Sequence, residues 1–288
     1  MHVMSGRQRQ RCIGDRLFGE DCIPGLWGGE FPRLAPGVQR REKVTIGVLR
    51  SDGLVQPLPP VARVLEEVAQ TLRRTEGVEV VEVPVPAALA KCQGLAGRLM
   101  GVDDGSTMLD LLEKTGEPLI PWLQGRMKRG KALSVVQLAQ LQAQRSAVER
   151  ELLGMWMHNS NDRLAGRTVD AIILPVAPHP VPEIDRYNAV GYTSSFVLLD
   201  YPAGVIPVRK FREGDLELGK EMTAPILGSW DKANRLLWNE KTVDRRVYLD
   251  SPLSIQVVTP KQHDYELYRA MEIIDRAVRA EHKTVAKL

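Results

Sequence analysis

The sequence predicts an α/β protein, on three observations. Two β-branched runs flank an amphipathic helix pattern near residue 44. Further apolar runs suited to buried strands recur at 169–174, 205–208 and 253–258. The stretches between them carry helical spacing and capping residues rather than hairpin turns. Val44-Thr45-Ile46-Gly47-Val48-Leu49 reads as a buried strand closed by Ser51-Asp52-Gly53. Pro59-Pro60 open a helix, where proline in the first turn costs nothing. Val61, Val64, Leu65, Val68 and Leu72 form its apolar face, and Gly77 stops it. Val78 to Val83 make a second strand, ended by Pro84. A strand–helix–strand unit of this length predicts parallel strands and a right-handed crossover.

From Pro86 to Arg163 the pattern is helical. Helices are expected at Ala88–Met100, Met108–Lys114 and Ser134–Arg163, the last being the longest, with Ser134 as its N-cap. Leu138, Leu141, Val148, Leu152, Met155 and Met157 give it an apolar side. Val169 to Leu174 is a third buried strand, followed by a proline-rich loop with His179, Asp185 and Tyr187. Val205–Val208 and Leu253–Val258 read as strands, and Asp264–Ala286 as a terminal helix. The polar section Glu213–Asp250 reads as a surface insertion.

Residues 1–42 form a separate segment, and order is expected from 43 to 288. The segment holds seven arginines, no lysine, and many glycines and prolines. A disordered arm, a mispredicted stretch of coding sequence and a basic nucleic-acid arm all fit it; Glu20, Asp21 and Glu30 dilute the last. The whole chain, 288 residues with 43% hydrophobic and 26% charged side chains, has globular values. A net charge of +3 argues against a nucleic-acid binder or a polybasic membrane protein. No apolar run reaches the roughly 18 residues of a membrane span, and the first residues lead into no apolar stretch. Cys12, Cys22 and Cys92 cannot all pair and lack metal spacing. A reducing, cytoplasmic setting is expected, with no metal and no cofactor.

Motifs for chemistry are scarce. There is no G-x-S-x-G elbow, no S-x-x-K and no phosphate loop; Gly101-Val102-Asp103-Asp104-Gly105 lacks the required form. Ser194 and Ser195 are the most suggestive serines, with a loop or helix cap as their plain reading. His158, His179, His263 and His282 are scattered. His179 follows a strand end, where α/β sheets place ligands; its plain reading is a solvated loop. Asp200, inside Leu198-Leu199-Asp200-Tyr201-Pro202-Ala203, is expected to be buried as a hydrogen-bond hub.

Four blocks together resemble one family. They are VTIGVLRSDGLVQPLPPV at 44–61, AIILPVAPHPVP at 171–182, GYTSSFVLLDYPAGVIPV at 191–208 and SPLSIQVVTPKQHDYELYRAMEIID at 251–275. In order and spacing they are similar to fungal amidases of the amidase-signature family, the general, acetamidase-like kind. The resemblance covers about 43–288 and corresponds to the C-terminal portion of that domain. It implies a mixed sheet flanked by helices on both faces, a partial amidase-signature fold. It departs at Val197, where the family usually keeps asparagine, and at Thr259-Pro260-Lys261, which replaces glycine-arginine-arginine.

The resemblance implies hydrolysis of carbon–nitrogen bonds in small linear amides. The family's chemistry uses a serine nucleophile, a bridging serine on a cis peptide and a lysine base. All three lie in its N-terminal portion. No residue here is carried over as catalytic, so the chain is expected to be inactive alone. Gly28-Gly29-Glu30 echoes the family's glycine loop by three letters only. Tyr192, Thr193, Asp200, Tyr201 and His179 are expected near the substrate-pocket wall. The alternatives are a non-catalytic remnant and a truncated gene model, binding a ligand or an amidase partner. Homo-oligomers or association through an exposed sheet edge fit such a piece. Marginal stability and aggregation are therefore expected of the purified chain; a sharp, cooperative melt of a monomer in scanning calorimetry would contradict this.

Overall fold

The computed structural model describes residues 43–124, 127–157, 169–183, 186, 189–219 and 222–285. The segment 1–42, His158, Asp185, Tyr187 and the expected helix beyond residue 157 lie outside the described residues.

A five-stranded sheet is built from β1 (Val44–Val48), β2 (Val78–Glu82), β3 (Ala171–Pro175), β4 (Ala203–Lys210) and β5 (Pro252–Val258), in the order β2-β1-β3-β5-β4. β1 pairs in parallel with β2 and β3, while β5 pairs antiparallel with β3 and β4. The sheet is therefore mixed. The helix after β1, α1 (Pro59–Arg73), makes the crossover to β2, with the two prolines in its first turn. α2 (Leu89–Met100), α3 (Ser106–Thr115), a single turn α4 (Pro121–Gln124) and α5 (Val135–Leu152) follow. Ser134 caps α5 with a full capping box: its Oγ accepts the Gln137 N–H and the Gln137 side chain accepts the Ser134 N–H. α5 is 18 residues long and passes into a 3-10 turn at Leu153–Trp156. The last helix, 22 residues, is longer, which corrects the expectation for 134–163.

Residues 191–199, without a helix in the sequence reading, form α6 (Gly191–Leu199). α7 (Glu213–Leu216), α8 (Ser229–Leu236) and a 3-10 turn at Arg245–Tyr248 follow β4, and α9 (Asp264–Val285) ends the fold. Among the described residues no helix is long and apolar enough to cross a membrane.

The strand alternation divides the core between two faces. Ile46, Val48, Ala171, Ile173, Ile255 and Val257 meet α1, α9 and the 211–249 segment on the first face. Ile172, Leu174 and Val258 meet α2, α5 and α6 on the second. Helices thus cover both faces, as the resemblance implied. Gly47 points into the second face, where an added Cβ would stand 2.5 Å from the Val83 side chain and 3.1 Å from Val169.

The expected surface insertion at 213–250 is instead part of the first core. Leu237, Trp238, Val243 and Tyr248 are buried there. Phe211, Trp238 and Tyr248 form an aromatic group with centroids 5.8–6.3 Å apart. Arg245 lies 4.1 Å over the Trp238 ring and donates to the Trp238 carbonyl, and the Trp238 Nε1–H reaches the carbonyls of Leu218 and Gly219. The segment reads as polar because its buried Asp215, Asp231, Asn234 and Arg245 are paired inside.

Two substitutions test this packing. Trp238→Ala removes the shared wall of the aromatic group and should cost about 3–5 kcal/mol in urea unfolding. Gly47→Val overfills the second face and should cost about 1–3 kcal/mol in the same assay.

Candidate functional site

β1 and β3 run parallel and end at the same edge of the sheet, so the loops that follow them converge. Residues 49–58 lead from β1 to α1, and residues 176–190 lead from β3 to α6. The Leu58 N–H donates to the Pro178 carbonyl at 2.7 Å and ties the two loops. Asp52 Oδ1 accepts the N–H groups of Leu54 and Val55, both at 2.8 Å. Ser51 Oγ accepts the Gly53 N–H. The Tyr192 hydroxyl, fully buried at the start of α6, donates to the Val55 carbonyl at 2.7 Å. From α8, Asp231 accepts the Gln56 N–H and Asn234 donates to the Gln56 carbonyl, both at 2.9 Å. Asp231 is itself held by Arg235 at 2.9 Å.

His179 is buried in the second loop, not solvated. Its Nε2 accepts the Ala189 N–H at 3.0 Å, a group that can only donate. The proton therefore sits on Nδ1, which donates to the Pro180 carbonyl at 2.9 Å. Burial holds its pKa below the ordinary histidine value, against the pull of that carbonyl. The ring is a neutral brace for the loop rather than a base aimed at solvent.

α6 starts at Gly191, against which α2 and the β1 loop press closely. A Cβ there would stand 2.5 Å from Gln93 Oε1 and 2.7 Å from Asp52 Oδ2. The Tyr192 carbonyl accepts from the Gln256 side chain of β5 at 3.0 Å. Ser195 Oγ, buried, donates to the Gly191 carbonyl at 2.7 Å. Burial pushes the neighbouring Cys92 thiol up to about 11, so it stays protonated and unreactive. Ser194 and Ser195 are thus helix residues in the first turns of α6, close to their plain reading.

The five expected pocket residues fall into two places. His179, Tyr192 and Thr193 stand at the loop-bearing end, Thr193 donating to the Val190 carbonyl as α6 begins. Asp200 and Tyr201 stand at the other end of α6. Asp200 is the left-handed C-cap, with φ +58°, and its side chain is 69% exposed beside Lys261 at 3.3 Å. This corrects the expectation of a buried carboxylate: the residue is chosen for its backbone conformation, which short polar side chains tolerate. Tyr201 is buried and meets the Trp156 ring edge-on at 5.7 Å. Val197, at the position where the family usually keeps asparagine, is 74% exposed. Thr259, first of the departing triplet, is buried with its hydroxyl donating to the His263 carbonyl.

Sequence reasoning missed Asp52, Gln93, Asp231 and Asn234. The signal for Asp52 was its place in Ser51-Asp52-Gly53 after an apolar strand, an Asx-turn pattern. Nothing local marked the other three. Among the described residues no group of three metal-ligating side chains is present. Two open cavities are lined by other residues. One of about 990 Å³ runs between α1, α9 and the end of β4, along Val68, Arg74, Val208, Phe211 and Val278. One of about 260 Å³ lies among Val83, Pro84, Gly154 and Met155. Neither is lined by any of the five expected residues.

Residues 29–268 match the amidase family. That match begins upstream of residue 43, where the quoted blocks began to carry the resemblance. The chain is 32% identical to an amidase of Gibberella zeae over 83% of its own length and 43% of that protein. It is 28% identical to an acetamidase of Aspergillus oryzae over 84% of its length and 42% of that protein. In structure it is similar to a fatty acid amide hydrolase, with a TM-score of 0.64 at 19% identity, covering 86% of this chain and 42% of that one. A second amidase structure gives a TM-score of 0.54, also at 19% identity, over 84% of this chain and 46% of that one. These likenesses show the same fold, the partial mixed sheet described above. The chain spans less than half the length of the relatives it matches. With five-sixths of its residues inside the family match and the same strand and helix arrangement, the chain belongs to the amidase family.

Proposed function

We propose that this chain forms the C-terminal part of an amidase that hydrolyses carbon–nitrogen bonds in small linear amides, and that residues 43–288 alone are inactive. Acyl transfer needs a nucleophile beside a base and donors for the developing oxyanion. The observation that carries the reading is that no plausible nucleophile of the loop-bearing end is paired with a base: Ser194 Oγ is shielded from solvent and has no hydrogen-bond partner. Ser195 Oγ is committed to the Gly191 carbonyl, and Cys92 is held as a buried thiol. His179 has both ring nitrogens engaged. The role left for this end is a rigid wall, in which Tyr192 and His179 fix the two loops and Thr193 stands nearer the surface. Asp200 and Tyr201 belong to a separate wall at the other end of α6.

A second reading is a non-catalytic chain that docks on an amidase partner through the free edge of β4. Val205 on that strand, 49% exposed, favours it. Co-purification with a full-length relative supports this reading, and a monomer that ignores that relative counts against it.

Turnover of a chromogenic short-chain anilide by the purified chain tests the main reading. No release above the buffer rate is expected, and no labelling by a fluorophosphonate probe. Turnover that such a probe abolishes would place a working serine in this chain and overturn the claim of inactivity.

A further inference from the structure

Asp52 and Gln93 each set a side-chain oxygen against Gly191, within 2.7 Å and 2.5 Å of where a Cβ would stand. Asp52 is almost fully buried, and its Oδ1 is used twice by the loop it closes. Its Oδ2 lies 2.7 Å from where a Cβ of residue 191 would stand. Gln93 Oε1 approaches the same Cβ position from α2, is shielded from solvent, and has no hydrogen-bond partner. Two acceptor oxygens therefore converge on one glycine in a space closed to solvent. An uncompensated pair of this kind is costly. One proton reconciles them. We propose that Asp52 is a protonated carboxylic acid in the folded chain, donating its Oδ2–H to Gln93 Oε1 and so latching the β1 loop to α2 across Gly191.

The groups that face Asp52 agree with this. Cys92 from α2 and Tyr192 from α6 are neutral, each with its proton held more tightly by burial. Asp231 from α8 is an acid whose charge repels a second one. Ser51, beside it on its own loop, is neutral. None of these neighbours brings a positive charge that would hold Asp52 as a carboxylate. Burial, the largest influence on Asp52, raises its pKa, and the Leu54 and Val55 N–H groups oppose this only in part. The glycine follows from the latch, since any side chain at 191 would separate the two oxygens.

The sign of the pH effect is fixed by linkage. A group whose folded pKa is raised gives stability that is complete below its unfolded value, about 3.9 for aspartate. That stability is lost as pH rises through the folded pKa. Between the two values the unfolding equilibrium constant should grow about tenfold per pH unit through this one proton.

The test compares urea unfolding of the wild type and Asp52→Asn from pH 5 to pH 8.5. The asparagine keeps an oxygen for Leu54 and Val55 and gives Gln93 a permanent N–H donor. The advantage of the variant over the wild type should widen as pH rises from 5, by about tenfold in the unfolding equilibrium constant per pH unit until the folded pKa is passed. A variant weaker than the wild type by the same amount at every pH overturns the latch. It would mean instead that the Gln93 amide N–H serves a carboxylate. A ¹³C titration of the aspartate carboxyls in the wild type gives a second readout that does not depend on the variant folding. One carboxyl should titrate above the ordinary aspartate value, lost from the spectrum of Asp52→Asn where that variant folds. All aspartates titrating at or below their ordinary value would reject the proposal.

Discussion

The structure depends on one short half-buried connection, from Ser51 to Leu58. The chain leaves a central strand there and must reverse into α1 without exposing its backbone to water. A buried N–H or carbonyl left unpaired costs about 1–3 kcal/mol, so a loop of eight residues could cancel much of a domain's stability. Each N–H from Gly53 to Leu58 finds an acceptor: the Ser51 hydroxyl, Asp52, Asp231 or the Pro178 carbonyl. Pro57 has no N–H to satisfy. The carbonyls of Val55 and Gln56 are met by Tyr192 and Asn234. Three separate elements, α6, α8 and the loop after β3, thus exist in their places partly to solvate eight residues. Anything that displaces α6 or α8 reaches this loop at once.

That dependence explains which parts of the fold were legible in the sequence. β1, β2, β3 and β5 were visible because β-branched runs between breakers need no tertiary information. α1 and α9 were visible because each has one wet face. α6 was not, because Tyr192, Phe196, Leu198 and Leu199 wrap around it and leave no contrast between faces. A helix buried on several sides has the composition of a strand and lacks the period of either. The 213–250 segment failed for the opposite reason. Its buried Asp215, Asp231, Asn234 and Arg245 look like surface to any hydropathy reading, and only the fold supplies their partners.

The position of the candidate site was legible in one half. The prolines and His179 after β3, and the apolar run into α6, pointed to the end where parallel strands finish, and the structure brings His179, Tyr192 and Thr193 there. Asp200 misled because an aspartate among apolar residues has two physical explanations. One is a buried carboxylate with donors; the other is a left-handed turn that aspartate tolerates, with the side chain in water. The sequence contains no distance and cannot separate them. Lys261 beside Asp200 also gives the altered triplet after β5 a local role, since its cation meets the carboxylate that caps α6.

Among the described residues β4 is an edge strand, and that edge carries its own constraint. An edge strand with a full row of unpaired groups invites other strands, and β4 interrupts that row with Pro207, which has no N–H. The register then slips between Pro207 and Arg209, so that Val208 is the extra residue of a bulge. Without the bulge, Arg209 would alternate to the second face, away from α1. With it, Arg209 opposes Leu253 on the first face and reaches Glu67 of α1 at 2.8 Å and Asp215 of α7 at 2.6 Å. Asp215 also accepts the Arg212 N–H just beyond the strand. A buried ion pair gains little over an apolar substitute, but losing one partner strands the other in the core. The arrangement therefore acts less as a source of stability than as a register lock: slipping β4 by one residue would turn Arg209 away from both acids at once. The same two residues that weaken β4 as a template for other strands fix its position in its own sheet.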